Sequence, residues 1–379
     1  MKILHINASY KPAYIYGGPT MSVSMLCERL HQAGVTVEVF TTTANGPLEL
    51  DVVANTPLLI DGVEVTYFKR LTKDHTHFSP RLLKNLYKRV TEFDAVHIHA
   101  WWNLVSVLVC LIAVWKRIPV ILSPRGTLSA YSFNNKNSGK KAWIHQLLGK
   151  KLLRKIHIHA TTNNEANAVR SLIEPISCNV IPNFVKLPLL TAYNTSIAAD
   201  KPLKLLFFSR IEEKKGLDIL LMALTSLNFP FTLTIAGSGE SGYINELKKL
   251  IPEHLSEKVN WAGFHHDDKF NLLSNHHLMV LPSHDENFGN VVIESLSTGT
   301  PVLVSTGVGL AGYVQENVLG WVCAASVTAL SDTLNDIYQH NQAQINLIRQ
   351  AAPLIIRRDF AADELVKQYI QLYSKVINE

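Results

Sequence analysis

The sequence predicts an α/β protein built as two Rossmann-like, doubly wound domains, and three observations carry that prediction. Short apolar, strand-like runs alternate with segments of helical spacing along nearly the whole chain. At 379 residues the chain exceeds what one core usually supports. A polar stretch of small residues, TAYNTSIAADKP at 191–202, separates two such series and reads as a linker. The expected domains are 1–188, completed by a terminal helix from about 358 to 379, and 189–357.

Composition narrows the class. The chain is 47% hydrophobic and 18% charged, which suits a packed globular protein and excludes general disorder. A net charge of +5 and a pI near 8.8 suit anionic ligands or a membrane surface better than nucleic acid, for which no motif is present. Cys27, Cys110, Cys178 and Cys323 stand far apart without a CxxC pattern and read as reduced core residues of a cytoplasmic protein. MKILHINASY lacks the pattern of a signal peptide. The longest apolar stretch, LVSVLVCLIAVW at 104–115, is too short to cross a bilayer and fits a buried helix.

In chain order, KILHINA at 2–8 reads as a buried first strand, and a helix is expected over 21–34 with Gly34 as its C-cap. Gly17-Gly18 between them lets a ligand or another loop approach the backbone, or serves an ordinary turn. No GxGxxG follows the strand, which disfavours a dehydrogenase. VTVEVFTT and VEVTYFKR at 63–70 are further strands, and His75 and His77 lie in an exposed loop without a third metal ligand. DAVHIHAWWN at 94–103 is a strand whose period of two sets His97 and His99 on one face. His97 reads as a satisfied core histidine. His99, Trp101 and Trp102 are candidates to hold an acceptor. Arg125-Gly126, in the loop after the strand of PVILSPRGTLS, can meet an anion or sugar oxygen. KNSGKKAWIHQLLGKKLLRK at 136–155 is a basic amphipathic segment, read as membrane contact or as a solvated helix face. Thr162 and Glu165 form a capping box.

The second series opens with LKLLFFSRIEEKKGLDILLMAL. Arg210 and Lys215 share its strand-to-helix loop, well placed to neutralise a diphosphate. Gly237-Ser238-Gly239 is a turn open to phosphate or base, and WAGF brings Gly263. His265-His266-Asp267-Asp268 reads as helix capping rather than a metal set. The strand of LMVLPS at 278–283 runs into a helix over NVVIESLSTG at 290–299. That places Glu286 at the carboxyl edge of a parallel sheet, with the amides of Phe288, Gly289 and Asn290 facing outward. Glu294 lies about two turns further, nearly on the same face. The pair reads as a sugar-nucleotide cradle or as an acidic helix start that complements the dipole. The last helical stretch is expected to break near Pro353.

These residues resemble retaining glycosyltransferases of family four, of the bacterial polysaccharide type. The resemblance rests on SRIEEKKGLDILLMAL, TIAGSGE, WAGF, LPSHDENFGNVVIESLSTGTPV, YGGP, VHIHAWW, SPRGTL and IPN, in the expected order over nearly the whole length. It implies the GT-B fold, two Rossmann-like domains facing a central cleft, with a C-terminal helix crossing back to the first. It implies that Arg210 and Lys215 bind the donor diphosphate and that Glu286 holds the donor sugar near the reacting carbon. Asn287, Phe288, Gly289 and Asn290 would support sugar and phosphate, Glu294 the ribose, and Gly263 and Phe264 the base. Gly17 and Gly18 would face the diphosphate. Arg125 stands where similar enzymes often carry histidine. The expected donor is a UDP- or GDP-sugar and the acceptor a glycan or polyprenyl-diphosphate-linked sugar, at the inner face of the cytoplasmic membrane. No cofactor or metal is expected, since Arg, Lys and helix amides can neutralise the leaving group and no D-x-D motif is present. The alternatives are a nucleotide-sugar epimerase-like enzyme and a non-catalytic sugar-nucleotide-binding module on the same fold.

Overall fold

A computed structural model describes residues 1–74, 76–129, 131, 149–188, 202–265 and 268–379. The linker stretch up to residue 201, residues 136–148 of the basic segment, His75, His266 and Asp267 lie outside the described residues. The chain divides into two units, one of Met1–Phe184 with Ala362–Glu379 and one of Val185–Ala361.

In the first unit the described strands are β1 (Lys2–Ile6), β2 (Thr36–Thr42), β3 (Ala44–Asn45), β4 (Leu48–Glu49), β5 (Pro57–Ile60), β6 (Val63–Phe68), β7 (Ala95–His99), β8 (Val120–Ser123), β9 (His157–Ala160) and β10 (Ser177–Val180). Eight of them form a sheet in the order β10-β9-β8-β7-β1-β2-β6-β5, while β3 and β4 make a small antiparallel ribbon. Only β5 departs from the parallel pattern of this sheet. Asp61 and Gly62 both take positive φ in the two-residue loop between β5 and β6, which is the chemistry of a tight hairpin.

Strand alternation divides the core. Leu4, Ile6, Val96, Ile98 and Leu122 face Leu86, Val109, Leu153 and Val169 on helices Pro80–Arg89, Leu104–Trp115, Lys150–Leu153 and Asn163–Leu172. Ile3, Val37, Val65 and Ala95 face the opposite layer, made by helices Gly18–Gln32 and Ala362–Asn378. The terminal helix therefore belongs to the first unit. It docks through Leu365, Tyr369, Leu372, Tyr373 and Val376, all buried. Each fully buried aliphatic side chain of this kind contributes about 1.5–3 kcal/mol.

The second unit holds β11 (Leu203–Phe208), β12 (Phe231–Ala236), β13 (Val259–Gly263), β14 (Leu278–Leu281), β15 (Val302–Ser305) and β16 (Gly320–Cys323), all parallel in the order β13-β12-β11-β14-β15-β16. Helices cover both faces of this sheet. The expected break at Pro353 is corrected: helix Gln342–Asp359 runs through it and ends before Phe360. The proline lacks the N–H that would bond Arg349 O, and Gly299 packs on that carbonyl so closely that a Cβ would lie 2.7 Å from it.

Among the described residues no helix is long and apolar enough to cross a membrane. Cys27, Cys110, Cys178 and Cys323 are all free thiols.

Candidate functional site

The second unit gathers its charged residues at the carboxyl ends of β11 and β14. After β11 the chain is pinned to the β12 end by Ser209 N to Ala236 O at 3.1 Å and Ile211 N to Ser238 O at 2.8 Å. Gly237 makes this approach possible, since a Cβ there would lie 1.8 Å from Ser209 O. Arg210 projects from the loop half-exposed, its Nη1 2.6 Å from Glu212. Lys215 ends a short 3-10 turn, Glu213–Lys215, and is buried. Its Nζ donates to Glu286 Oε2, so the two residues form one ion pair.

Glu286 is fixed by backbone. Its N–H donates to Gly307 O at 2.9 Å, and its carbonyl accepts from Gly309 N at 2.7 Å. It precedes the helix, which begins at Asn290 with Gly289 as N-cap at φ 90°. The helix thus begins where the spacing places it, because Gly289 takes a left-handed conformation that holds Phe288 and Gly289 outside it, and it ends at Ser297, two residues short of the expected end. Phe288 is a core residue, packed edge-on to Phe360. Asn287 and Asn290 are half-buried at this edge. Glu286 and Glu294 do not share a helix face: Glu294 takes a separate partner, Lys269 Nζ, at 2.7 Å. Lys269 starts the helix Lys269–Ser274 and was not singled out from the sequence, where one lysine after a polar run carries no distinguishing pattern. Gly263 ends β13 at φ 76°, and Phe264 beside it is 70% exposed. The expected capping by Asp268 is corrected as well. It holds the N-cap position without a side-chain cap bond, and its carboxylate instead accepts from His265 Nδ1 at 2.8 Å.

The first unit carries a different constellation. Gly17, at φ 65°, is the N-cap of the helix that begins at Gly18, three residues earlier than the spacing predicted. Trp101, an expected acceptor contact, is 1% exposed in the core; the apolar cluster claims its ring. Trp102 is half-buried and donates Nε1 to Thr127 O. His99 is fully buried, not at the surface, because the terminal helix covers this face of the sheet.

His99 belongs to a buried polar network. His5 Nδ1 lies 3.1 Å from His99 Nε2, and Arg125 Nε lies 3.3 Å from His99 Nδ1. His97 joins Tyr373 OH at 2.8 Å and Ser123 Oγ at 2.7 Å. Ser123 Oγ lies 2.6 Å from His159 Nδ1. His159 Nε2 reaches Ile181 O at 2.9 Å and Tyr369 OH at 3.1 Å. Burial, reinforced by the charge of Arg125, holds His5 at about 3 and keeps His97 and His99 well below the ordinary 6.5. Burial likewise holds His159 at about 3. Nitrogens of His5, His97 and His99 lie within 4.8 Å of one another, a spacing open to a metal. The donor set argues against one: the histidines are spent on one another and on Ser123 and Tyr373, and a guanidinium rather than a carboxylate stands beside them.

Arg125 takes φ 52°, a strained conformation for a non-glycine residue. Its Nη1 donates to Ser22 Oγ at 2.9 Å and Asn183 Oδ1 at 3.0 Å. Glu165 is committed elsewhere, accepting from Gly126 N at 2.8 Å and Thr161 N at 2.7 Å. The expected capping bond forms from Glu165 N to Thr162 Oγ1 at 3.1 Å.

Two family models match this chain. Residues 16–188 match "Glycosyltransferase Family 4" and residues 194–352 match "Glycosyl transferases group 1". An uncharacterized glycosyltransferase of Methanocaldococcus jannaschii is 23% identical over 98% of both chains. A glycogen synthase of Thermodesulfovibrio yellowstonii is 28% identical over 46% of this chain, and the match spans only 35% of that enzyme's length. Among solved structures, Anabaena HepE in complex with UDP and glucose superposes with a TM-score of 0.75 at 20% identity, covering 99% of this chain and 100% of the other. The lipopolysaccharide outer core galactosyltransferase WaaB gives 0.68 at 17% identity over 99% and 100%. The fold is thus that of the GT-B glycosyltransferases, and with both halves matched in order the chain belongs to the family-four glycosyltransferases.

Proposed function

We propose that this glycosyltransferase moves a hexose from a UDP- or GDP-sugar to a glycan or polyprenyl-diphosphate-linked acceptor, with retention of anomeric configuration. Its setting would be cell-surface polysaccharide or glycoconjugate synthesis. The Lys215–Glu286 pair beside Arg210 carries the reading, because it joins a diphosphate-neutralising cation to a carboxylate that can hold sugar hydroxyls. UDP is the favoured nucleotide, in keeping with the UDP and UDP-glucose complexes of Anabaena HepE. The second unit would hold the donor, with Glu294 at the ribose, Gly263 and Phe264 at the base, and Gly237 beside the phosphates. The first unit would hold the acceptor.

In the reaction, the bond from the anomeric carbon to the phosphate oxygen breaks and a bond to the acceptor oxygen forms on the same face. The departing phosphate oxygen takes the acceptor's proton, so neither glutamate serves as a glycosidase-type acid or nucleophile. Arg210, Lys215 and backbone amides meet the leaving charge without a metal. A thermal-shift panel of nucleotide sugars tests the reading. The true donor at a hundredfold excess over its Kd stabilises the protein by about 2.7 kcal/mol. No shift with any nucleotide or nucleotide sugar would end it.

A peripheral contact with anionic lipid fits an acceptor carried by a membrane. Trp115, 65% exposed, stacks on Tyr87 at 5.7 Å, and Lys116 lies over both rings. Exposed Lys84 and Lys88 lie on the helix of Tyr87, Arg117 on the turn after that of Trp115, and exposed Lys150 and Lys151 on the helix Lys150–Leu153. Co-sedimentation with anionic vesicles, lost in Trp115→Ser, is the expected result. Absence of binding at low salt would reduce these residues to a solvated face.

A further inference from the structure

The hydrogen-bond directions of the first-unit network can be assigned from its members alone. Arg125 has no acceptor, so its Nε–H donates to His99 Nδ1. His99 therefore carries its proton on Nε2 and donates to His5 Nδ1. That puts the His5 proton on Nε2, a buried atom without a partner among the described residues. From the other end, His159 donates Nε2–H to Ile181 O, so Ser123 donates to His159 Nδ1. His97 then donates Nε2–H to Ser123, and Tyr373 donates to His97 Nδ1. All four histidines are neutral Nε2–H tautomers.

The consequence falls on Arg125. Its three partners, His99, Ser22 and Asn183, are uncharged acceptors on three different elements. Nη2 has no partner among the described residues, and the residue keeps partial exposure. The guanidinium is thus fixed in direction by neutral partners, in a strained backbone conformation, with the Glu165 carboxylate acting on it through space but forming no ion pair with it. A carboxylate in place of His99 would fix it equally well and cancel its charge.

We propose that His99 is a positioning residue for Arg125, and that the guanidinium it aims receives a phosphate oxyanion of a substrate. The inference rests on the functional reading above only for which substrate carries that phosphate. It is tested on the full chain by ¹⁵N NMR of the histidine rings and of the Arg125 Nε–H. The four buried rings should show the Nε2–H tautomer at pH 7; an Nδ1–H form of His99 would overturn the proposal. Inorganic pyrophosphate should then move the Arg125 and His99 signals, and no movement with either pyrophosphate or UDP would also overturn it. Movement with UDP assigns the phosphate to the donor. Movement with pyrophosphate alone assigns it to another substrate and leaves the proposal standing. Failure of the donor reading is a separate result, seen as no thermal shift with any nucleotide.

The matched pair His99→Asn and His99→Asp isolates the charge. Asparagine presents an acceptor oxygen where Nδ1 stands, and aspartate presents the same oxygen with a negative charge. Pyrophosphate affinity at Arg125 should stay near that of the parent in His99→Asn. In His99→Asp it should fall about tenfold or more, the scale of one charge-assisted hydrogen bond. Equal affinity in the two variants would leave His99 a merely structural residue.

Discussion

Lys215 and Arg125 are both drawn in from bulk water, and they are held in opposite ways. Lys215 of the second unit is buried against a carboxylate, Glu286, whose backbone is locked to the Gly307–Gly309 loop. Arg125 of the first unit is met by an imidazole, a hydroxyl and an amide, none of them charged. Burying a charge requires pairing or hydrogen bonding, and the two sites satisfy that requirement by different routes. The lysine pair is complete by itself. A ligand there must share groups already engaged, while the arginine retains its charge for whatever arrives.

The sharpest way to break the comparison is to remove the carboxylate. If Glu286 holds the reacting sugar as proposed, Glu286→Ala deletes that contact and leaves Lys215 unpaired, so transfer should fall at least about a hundredfold with the fold retained. Near-parental turnover, with circular dichroism unchanged, would remove Glu286 from the chemistry. Arg125 has no such partner to lose.

The next effect is on stability and separates the units by pH. His5, His97, His99 and His159 are neutral in the folded first unit, with pKa values held far below 6.5 by burial. The groups facing them are Arg125, Ser123, Tyr369 and Tyr373. The unfolded chain takes up protons on these rings as pH drops below 6.5, while the folded chain resists, His5 and His159 until about 3. Stability is therefore full above 6.5 and is lost as pH falls through that window, by up to about 1.4 kcal/mol per unit per histidine. Urea unfolding at pH 7 and pH 5 should show the first unit weakening more than the second. His159→Gln should flatten its slope, and identical pH dependence of both units would contradict the assignment.

How far the sequence reached differs between the two regions for a physical reason. In the second unit the charged residues sit within one strand-turn-helix step of each other's strands. Arg210, Lys215, Glu286 and Glu294 could all be placed from local pattern. What escaped was Lys269, whose partner lies 25 positions on. In the first unit, period two placed His97 and His99 on one face but left open what covers it. The cover is the terminal helix: Tyr373 meets His97 across 276 positions of sequence. His5 and His159 are unremarkable as single residues inside apolar strands, and Trp101 reads as a ligand platform until the core around it is seen. Contacts of that range have no local signature.

The smallest effect tests whether the second carboxylate resembles the first. Glu294 is paired with Lys269, but both side chains are more accessible to water than Lys215, at 13% and 23% exposure against 6%. Water screens such a pair, so its own contribution to stability is small, on the order of 1 kcal/mol or less. Lys269→Met should therefore leave the melting temperature nearly unchanged. If the lysine orients Glu294 toward a ribose, the variant should bind UDP about three- to fivefold more weakly, the scale of one partly solvated polar contact. Binding of inorganic pyrophosphate, which has no ribose, should not change. Equal losses for UDP and pyrophosphate would mean that Lys269 acts on the phosphates, so that the second unit would hold two diphosphate-directed lysines instead of one.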